Sequence, residues 1–135
     1  MAGLQVLEDK YGPQGFHLLG FYSNDFGMQG GTDEEIEACT GMGGVCGAEG
    51  CSFPQFAIAP VTEPNAQPVW HWLLAQPNPE SYALPPDWNF HKYLISRDGH
   101  LLRHFLREEY MGDDPNAPAW DASPIVQAIE AELAQ

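Results

Sequence analysis

A chain of 135 residues with 44% hydrophobic, 12% aromatic and 18% charged residues has a globular composition and the length of one core, which excludes a disordered segment and a multidomain assembly. Five Lys and Arg face 19 Asp and Glu, a formal net charge of −14, so repulsion from a phosphate backbone excludes nucleic acid as a partner. No apolar run approaches the ~20 residues of a membrane span, and no amphipathic stretch is basic enough to lie on an anionic bilayer.

No repeat, linker or charge block divides residues 1–135, which read as a single domain. Leu4, Leu7 and Tyr11 recur at helical spacing until Gly12-Pro13 stops the pattern, so the chain reads as beginning with a helix already under way. Phe16 to Tyr22 is a nearly unbroken apolar run of strand length, the signature of a buried parallel strand. A glycine-rich loop from Ser23 to Gly31 follows. Thr32 with Asp33, Glu34 and Glu35 is a capping box that starts a second helix, expected to turn Ile36 and Cys39 inward and to end at the glycines after Thr40.

Phe53 to Ile58 is predicted as a short strand, and Gln67 to Gln76 as a short helix with Val69, Trp70, Leu73 and Leu74 on its apolar side. Phe90 to Ser96 and Leu101 to Leu106 read as two strands joined by Arg97-Asp98-Gly99-His100, whose Asp-Gly pair suits a tight hairpin. Ser123-Pro124 is an N-cap with proline at the first helical position, and Ile125, Ile129 and Leu133 mark a terminal helix.

The N-terminus lacks the basic and apolar regions of a signal peptide, and the three cysteines Cys39, Cys46 and Cys51 make an odd count that argues against a secreted disulfide framework. A reducing, cytoplasmic location is expected. Cys46 and Cys51 are predicted as two spare thiols in a loop, although a disulfide between them is sterically conceivable across the glycines. Zinc bound by the three cysteines lacks a fourth ligand at fixed spacing, so no metal is expected. His17, His71, His91, His100 and His104 pair with no nucleophile in a hydrolase pattern and read as surface positions.

Four segments, in order, resemble the glutathione peroxidase family. LEDKYGPQGFHLLGF (Leu7 to Phe21) is similar to that family's first helix and second core strand, and FYSNDFGMQGG (Phe21 to Gly31) to its "FPCNQFGxQEPG" loop. PVWHWLL (Pro68 to Leu74) is similar to "HPxWxWL", and WNFHKYLISRDG (Trp88 to Gly99) to the highly specific "WNFxKFLIxRxG". The resemblance implies an α/β thioredoxin-like fold of the glutathione peroxidase type. It also implies a thiol peroxidase that reduces hydrogen peroxide or organic hydroperoxides in response to oxidative stress, with electrons from glutathione or a thioredoxin-like protein and no cofactor.

In that family a cysteine or selenocysteine attacks the peroxide, and a glutamine amide, an indole N–H and an asparagine amide stabilise its anion. Carried over, these are Gln29, Trp88 and Asn89. The family's nucleophile lies in an "NxASxCGxT" motif ahead of the first helix, after the first core strand, and neither stretch is matched in this chain. The resemblance therefore implies a missing central strand between Phe16–Tyr22 and Phe90–Ser96, a truncated gene model, and a polypeptide that is inactive and poorly folded alone. Cys39-Thr40 resembles the block holding the family's resolving cysteine. The Gln-Gly-Gly run departs from the family's Gln-Glu-Pro-Gly, and Ser23 replaces a cysteine. The scarcity of cations, Lys92 and Arg97 among them, favours a thioredoxin-type reductant over anionic glutathione. The alternative is a non-catalytic thioredoxin-fold remnant acting as a binding module.

Overall fold

The structure is a computed structural model that describes residues 2–28, 30–77, 85–106, 109, 112 and 114–135. Helix α1 (Ala2–Tyr11) buries Leu7 and Tyr11 on the row that the helical period selects, together with Gly3 and Gln5. A 3-10 turn over Gly12–Gln14 ends at Gly15, whose φ of 93° closes the turn with a 2.9 Å bond from its N–H to the Gly12 carbonyl.

Residues 16–22 run alongside residues 53–59 but form no strand ladder. They share one parallel bridge, Gly20 to Gln55, with Gly20 N–H donating to Pro54 O and Phe56 N–H donating to Gly20 O, both at 2.9 Å. The two predicted strands fail to extend for local reasons. Pro54 has no N–H to give, and the Leu18 N–H is taken by the Glu8 carboxylate at 2.7 Å.

Helix α2 (Asp33–Thr40) has its capping box in full, with Glu35 N–H on Thr32 Oγ1 at 3.2 Å and Thr32 N–H on Glu35 Oε2 at 2.9 Å. Its inner row is Ile36 and Thr40, and Cys39 is exposed, contrary to the expectation that it turns inward. Thr40 is accepted inside because its hydroxyl donates to the Ile36 carbonyl at 2.8 Å. Helix α3 (Pro68–Leu74) buries Trp70 and Leu73 but leaves Val69 exposed.

Strands β1 (Lys92–Ile95) and β2 (Leu101–Phe105) form the expected antiparallel hairpin, with Tyr93 opposite His104 and a register shift between Leu94 and Ile95. Gly99, at a φ of 86°, makes the turn. The first strand starts later than predicted because Phe90 has a φ of 64°, outside extended backbone. Helix α4 (Pro118–Asp121), which the sequence reading did not foresee, buries Trp120. Helix α5 (Pro124–Leu133) follows; Ser123 occupies its cap but makes no side-chain capping bond.

Two apolar clusters result. One gathers Leu7, Tyr11, Phe105, Trp120, Ile125, Val126 and Ile129, joining α1, β2, α4 and α5, and the Tyr11 hydroxyl ties it by donating to Glu130 at 2.6 Å. The other gathers Val61, Ala66, Trp70, Leu73 and Leu101 around α3. Among the described residues no helix is long and apolar enough to cross a membrane.

Candidate active site

Residues 16–22 form one wall of an open groove and β1 the other, and its cavity measures about 1080 Å³. Gly20 spends both of its backbone polar groups on residues 54 and 56, and its neighbours Leu19 and Phe21 line the groove. Among the described residues no strand lies between the two walls. The groove is also lined by Tyr22, Ser23 and Phe26, by Cys39 of α2, and by Trp88 and Asn89 before β1.

The turn carrying Trp88 and Asn89 is held on both sides. Pro86 is buried ahead of it, His91 Nε2 meets Asp87 Oδ1 at 2.8 Å across it, and the left-handed Phe90 redirects the chain into β1. The His91 side chain is only 4% exposed, and His104 is 2% exposed with its ring stacked 5.2 Å from Tyr93 and 5.4 Å from His91. These two histidines are therefore interior residues, a correction to their reading as surface positions. An imidazole is flat enough to continue an aromatic stack on the hairpin. Burial pushes the Tyr93 hydroxyl well above its ordinary range.

The loop before α2 approaches from the opposite side. Asn24 bonds both the N–H and the C=O of Gly31, at 3.0 and 3.1 Å. At Gly30 a Cβ would stand 2.5 Å from the Ser23 carbonyl oxygen, so the loop closes only over glycine. Asp25 fastens it outward, its Oδ2 accepting from the N–H groups of Val61 and Thr62 and from the Thr62 hydroxyl at 2.8, 2.9 and 2.8 Å. Partial burial works to raise the Asp25 pKa, but these bonds outweigh it and hold the carboxyl below its ordinary value.

Phe26 then sets its ring 6.4 Å from that of Trp88. Gln29 lies outside the described residues, while its neighbour Gly30 lines the groove. Trp88, Asn89 and Cys39 are thus brought to one cavity from separate elements. Burial, and then the nearby Cys39, raise the pKa of Tyr22.

Cys46 and Cys51 are joined in a disulfide with a Cα separation of 5.0 Å, which corrects their reading as spare thiols. The glycines of the loop bring the two Cα atoms within bonding range, and the bond removes both sulfurs as zinc ligands. Among the described residues no group of three or more His, Cys, Asp or Glu side chains could hold a metal ion.

No protein-family model matches the chain. Relatives do. The chain is 35% identical over 112 residues to a hydroperoxy fatty acid reductase of Synechocystis sp., covering 76% of this chain and 62% of that protein. A glutathione peroxidase-like peroxiredoxin of Schizosaccharomyces pombe is 36% identical over 105 residues, with coverage of 76% and 62%. Glutathione peroxidase 7 of Bos taurus is 30% identical over 131 residues, 96% of this chain and 57% of that one. The chain belongs to the glutathione peroxidase family.

It spans less than two thirds of these relatives' lengths, between 57 and 62%. The solved apo structure of Trgpx superposes with a TM-score of 0.59 at 24% identity, over 98% of this chain and 66% of that one. The architecture is accordingly the α/β thioredoxin-like fold of the glutathione peroxidase type. Within it, the sequence reading missed Phe26 and the Asp87 to His91 clamp as supports of the site. Their signal was present only as an aromatic in a glycine-rich loop and a pair at four-residue spacing, both common features without chemistry of their own.

Proposed function

We propose that this chain forms the peroxide pocket of a thiol peroxidase acting on hydrogen peroxide or organic hydroperoxides under oxidative stress. The observation that carries this reading is that Trp88, Asn89 and Cys39, from separate elements, all line the groove walled by residues 16–22 and β1. The names of the relatives, a hydroperoxy fatty acid reductase and a peroxiredoxin among them, support the same chemistry.

A thiolate in that groove would attack one oxygen of the peroxide, break the O–O bond and become a sulfenic acid, while the departing alkoxide takes up a proton. The indole N–H of Trp88 and the amides of Asn89 and Gln29 are proposed to steady the thiolate and the charge developing on oxygen. Cys39, exposed at the end of α2 and facing the groove, is suited to condense with the sulfenic acid, forming a disulfide and releasing water. Lys92 donates to the backbone carbonyls of Glu109 and Leu106, and Arg97 to that of Gln14, which favours a thioredoxin-like reductant over glutathione.

None of Cys39, Cys46 and Cys51 opens a helix after a strand, so the attacking thiolate is assigned to none of them. The test compares hydroperoxide turnover by the 135-residue chain with that of the same chain carrying an added strand-and-cysteine segment at its N-terminus. The chain alone should match a cysteine-containing control peptide, and the extended chain should exceed it. Turnover by the chain alone that is lost in Cys39→Ser would make Cys39 the nucleophile and overturn the assignment.

A further inference from the structure

The loop after α2 is folded back onto the end of that helix and brings the backbone beside Cys46 and Cys51 onto that of Cys39 and Thr40. The Cys39 carbonyl accepts from Val45 N–H at 2.8 Å, and the Thr40 carbonyl accepts from Cys51 N–H at 2.7 Å. The residue before Cys46 is therefore bonded to Cys39, and Cys51 itself is bonded to the next residue of the helix. Contact between loop and helix end is close: a Cβ at Gly44 would lie 2.0 Å from the Cys39 carbonyl oxygen.

The two bonded cysteines differ in how closely their surroundings are packed. Gly50 is buried, and a Cβ there would meet Gly41 and Thr40 backbone at 2.9 Å, while Ser52 is clasped by Gln5 of α1 at 2.7 and 2.8 Å. Cys51 is fixed between them. Cys46 stands beside Gly47, whose φ is 101°, with open space around the position a Cβ would take there and at Gly43. Backbone bonds hold the turn around Cys46, Gly47 N–H donating to Gly44 O at 3.0 Å, but the space beside it contrasts with the packing around Cys51.

We propose that Cys46–Cys51 is a redox-active pair that exchanges with Cys39, Cys46 being the sulfur that changes partner. The Cys39 thiol loses its proton, its thiolate attacks Cys46 Sγ, the Cys46 to Cys51 bond breaks, and Cys51 leaves as a thiolate that takes up a proton. The count of one disulfide and one thiol is unchanged. A dithiol protein that reduces the pair gives it two electrons and two protons and is itself oxidised to a disulfide. The exchange thereby connects the groove, where Cys39 stands, with a disulfide on the loop outside it. The inference does not depend on the peroxidase reading, since it is measured on thiols alone.

The whole chain, oxidised and holding one free thiol, is incubated without oxygen at about pH 8, acid-quenched, alkylated and mapped by mass spectrometry. The label should be shared between Cys39 and Cys51 within about tenfold, as thiols of similar kind exchange freely. In Gly44→Ala, which lifts the loop off the Cys39 carbonyl, the Cys51 label should fall about tenfold or more. Oxidised Cys51→Ser should contain a Cys39 to Cys46 disulfide, a readout that needs no other variant to fold. Label confined to Cys39, label on Cys46 in place of Cys51, or no Cys39 to Cys46 bond in Cys51→Ser would each overturn the proposal.

Discussion

Phe21 and Tyr93 stand on opposite walls of the groove and both meet the ring of Trp70 edge-on, at 5.9 and 5.3 Å between centroids. One buried indole from α3 thus joins two walls that no strand ladder connects among the described residues. Trp70→Ala should destabilise the chain by about 3–5 kcal/mol, read as a lower urea midpoint at an unchanged slope. Trp70→Phe should cost about half of that or less, because it keeps ring contact and removes an indole N–H that has no hydrogen-bond partner.

Gln5 makes the corresponding clasp at the other end of the chain. Gln5 is buried on α1, where its Nε2 donates to Ser52 Oγ at 2.7 Å and to Asp9 at 2.6 Å, and its Oε1 accepts from Ser52 N–H at 2.8 Å. Gln5→Ala leaves a partly buried backbone N–H unpaired and should cost about 1–3 kcal/mol in the same denaturation series. An effect within error would show that solvent reaches Ser52 readily.

The features legible in the sequence are those written locally. The Thr32 capping box, the Asp98-Gly99 turn and the Ile125 to Ile129 row each specify their element within a few residues, and each is present. What was not legible depends on partners far along the chain. Residues 16–22 have strand composition, but a ladder needs a neighbour with free N–H groups, and Pro54 and Glu8 remove two of the candidates. His104 looked like a surface residue because its stacking partner, Tyr93, lies across the hairpin. With Ile36 the one large aliphatic residue to set the inward face of α2, the period alone could not choose between Cys39 and Thr40, and the hydroxyl bond of Thr40 decided it. Trp88 and Asn89 were found through their motif, whereas the aromatic support from Phe26 appears only when the loop is closed.

Asp25 makes stability depend on pH in the acid range. Its pKa is lower in the folded chain than the ~3.9 of an unfolded aspartate, so its contribution is complete above that value and is lost as pH falls through the folded one. Wild type should exceed Asp25→Asn in denaturation midpoint at neutral pH, and the gap should close as the solution is acidified below about pH 4. A gap that widens on acidification would mean that the bonds from Val61 and Thr62 do not favour the ionised carboxylate.

Trp88 offers the sharpest test of the proposed chemistry, because its role can be separated from its packing. The side chain is 39% exposed and its ring meets that of Phe26, so Trp88→Phe preserves an aromatic face there, and its urea midpoint reports any packing loss separately from the chemistry. The substitution removes one N–H donor that the reading aims at sulfur. In the extended, cysteine-bearing protein it should raise the pKa of the attacking thiol and lower kcat/KM for hydroperoxide by about 10- to 100-fold. Asn89→Ala should act in the same direction, and the double variant should lose less than the product of the two if both donors serve one atom. The thiol pKa is followed by the pH dependence of alkylation and the turnover by peroxide consumption. A fall in turnover with no change in thiol pKa would assign Trp88 to positioning the peroxide, and no change in either would remove it from the site.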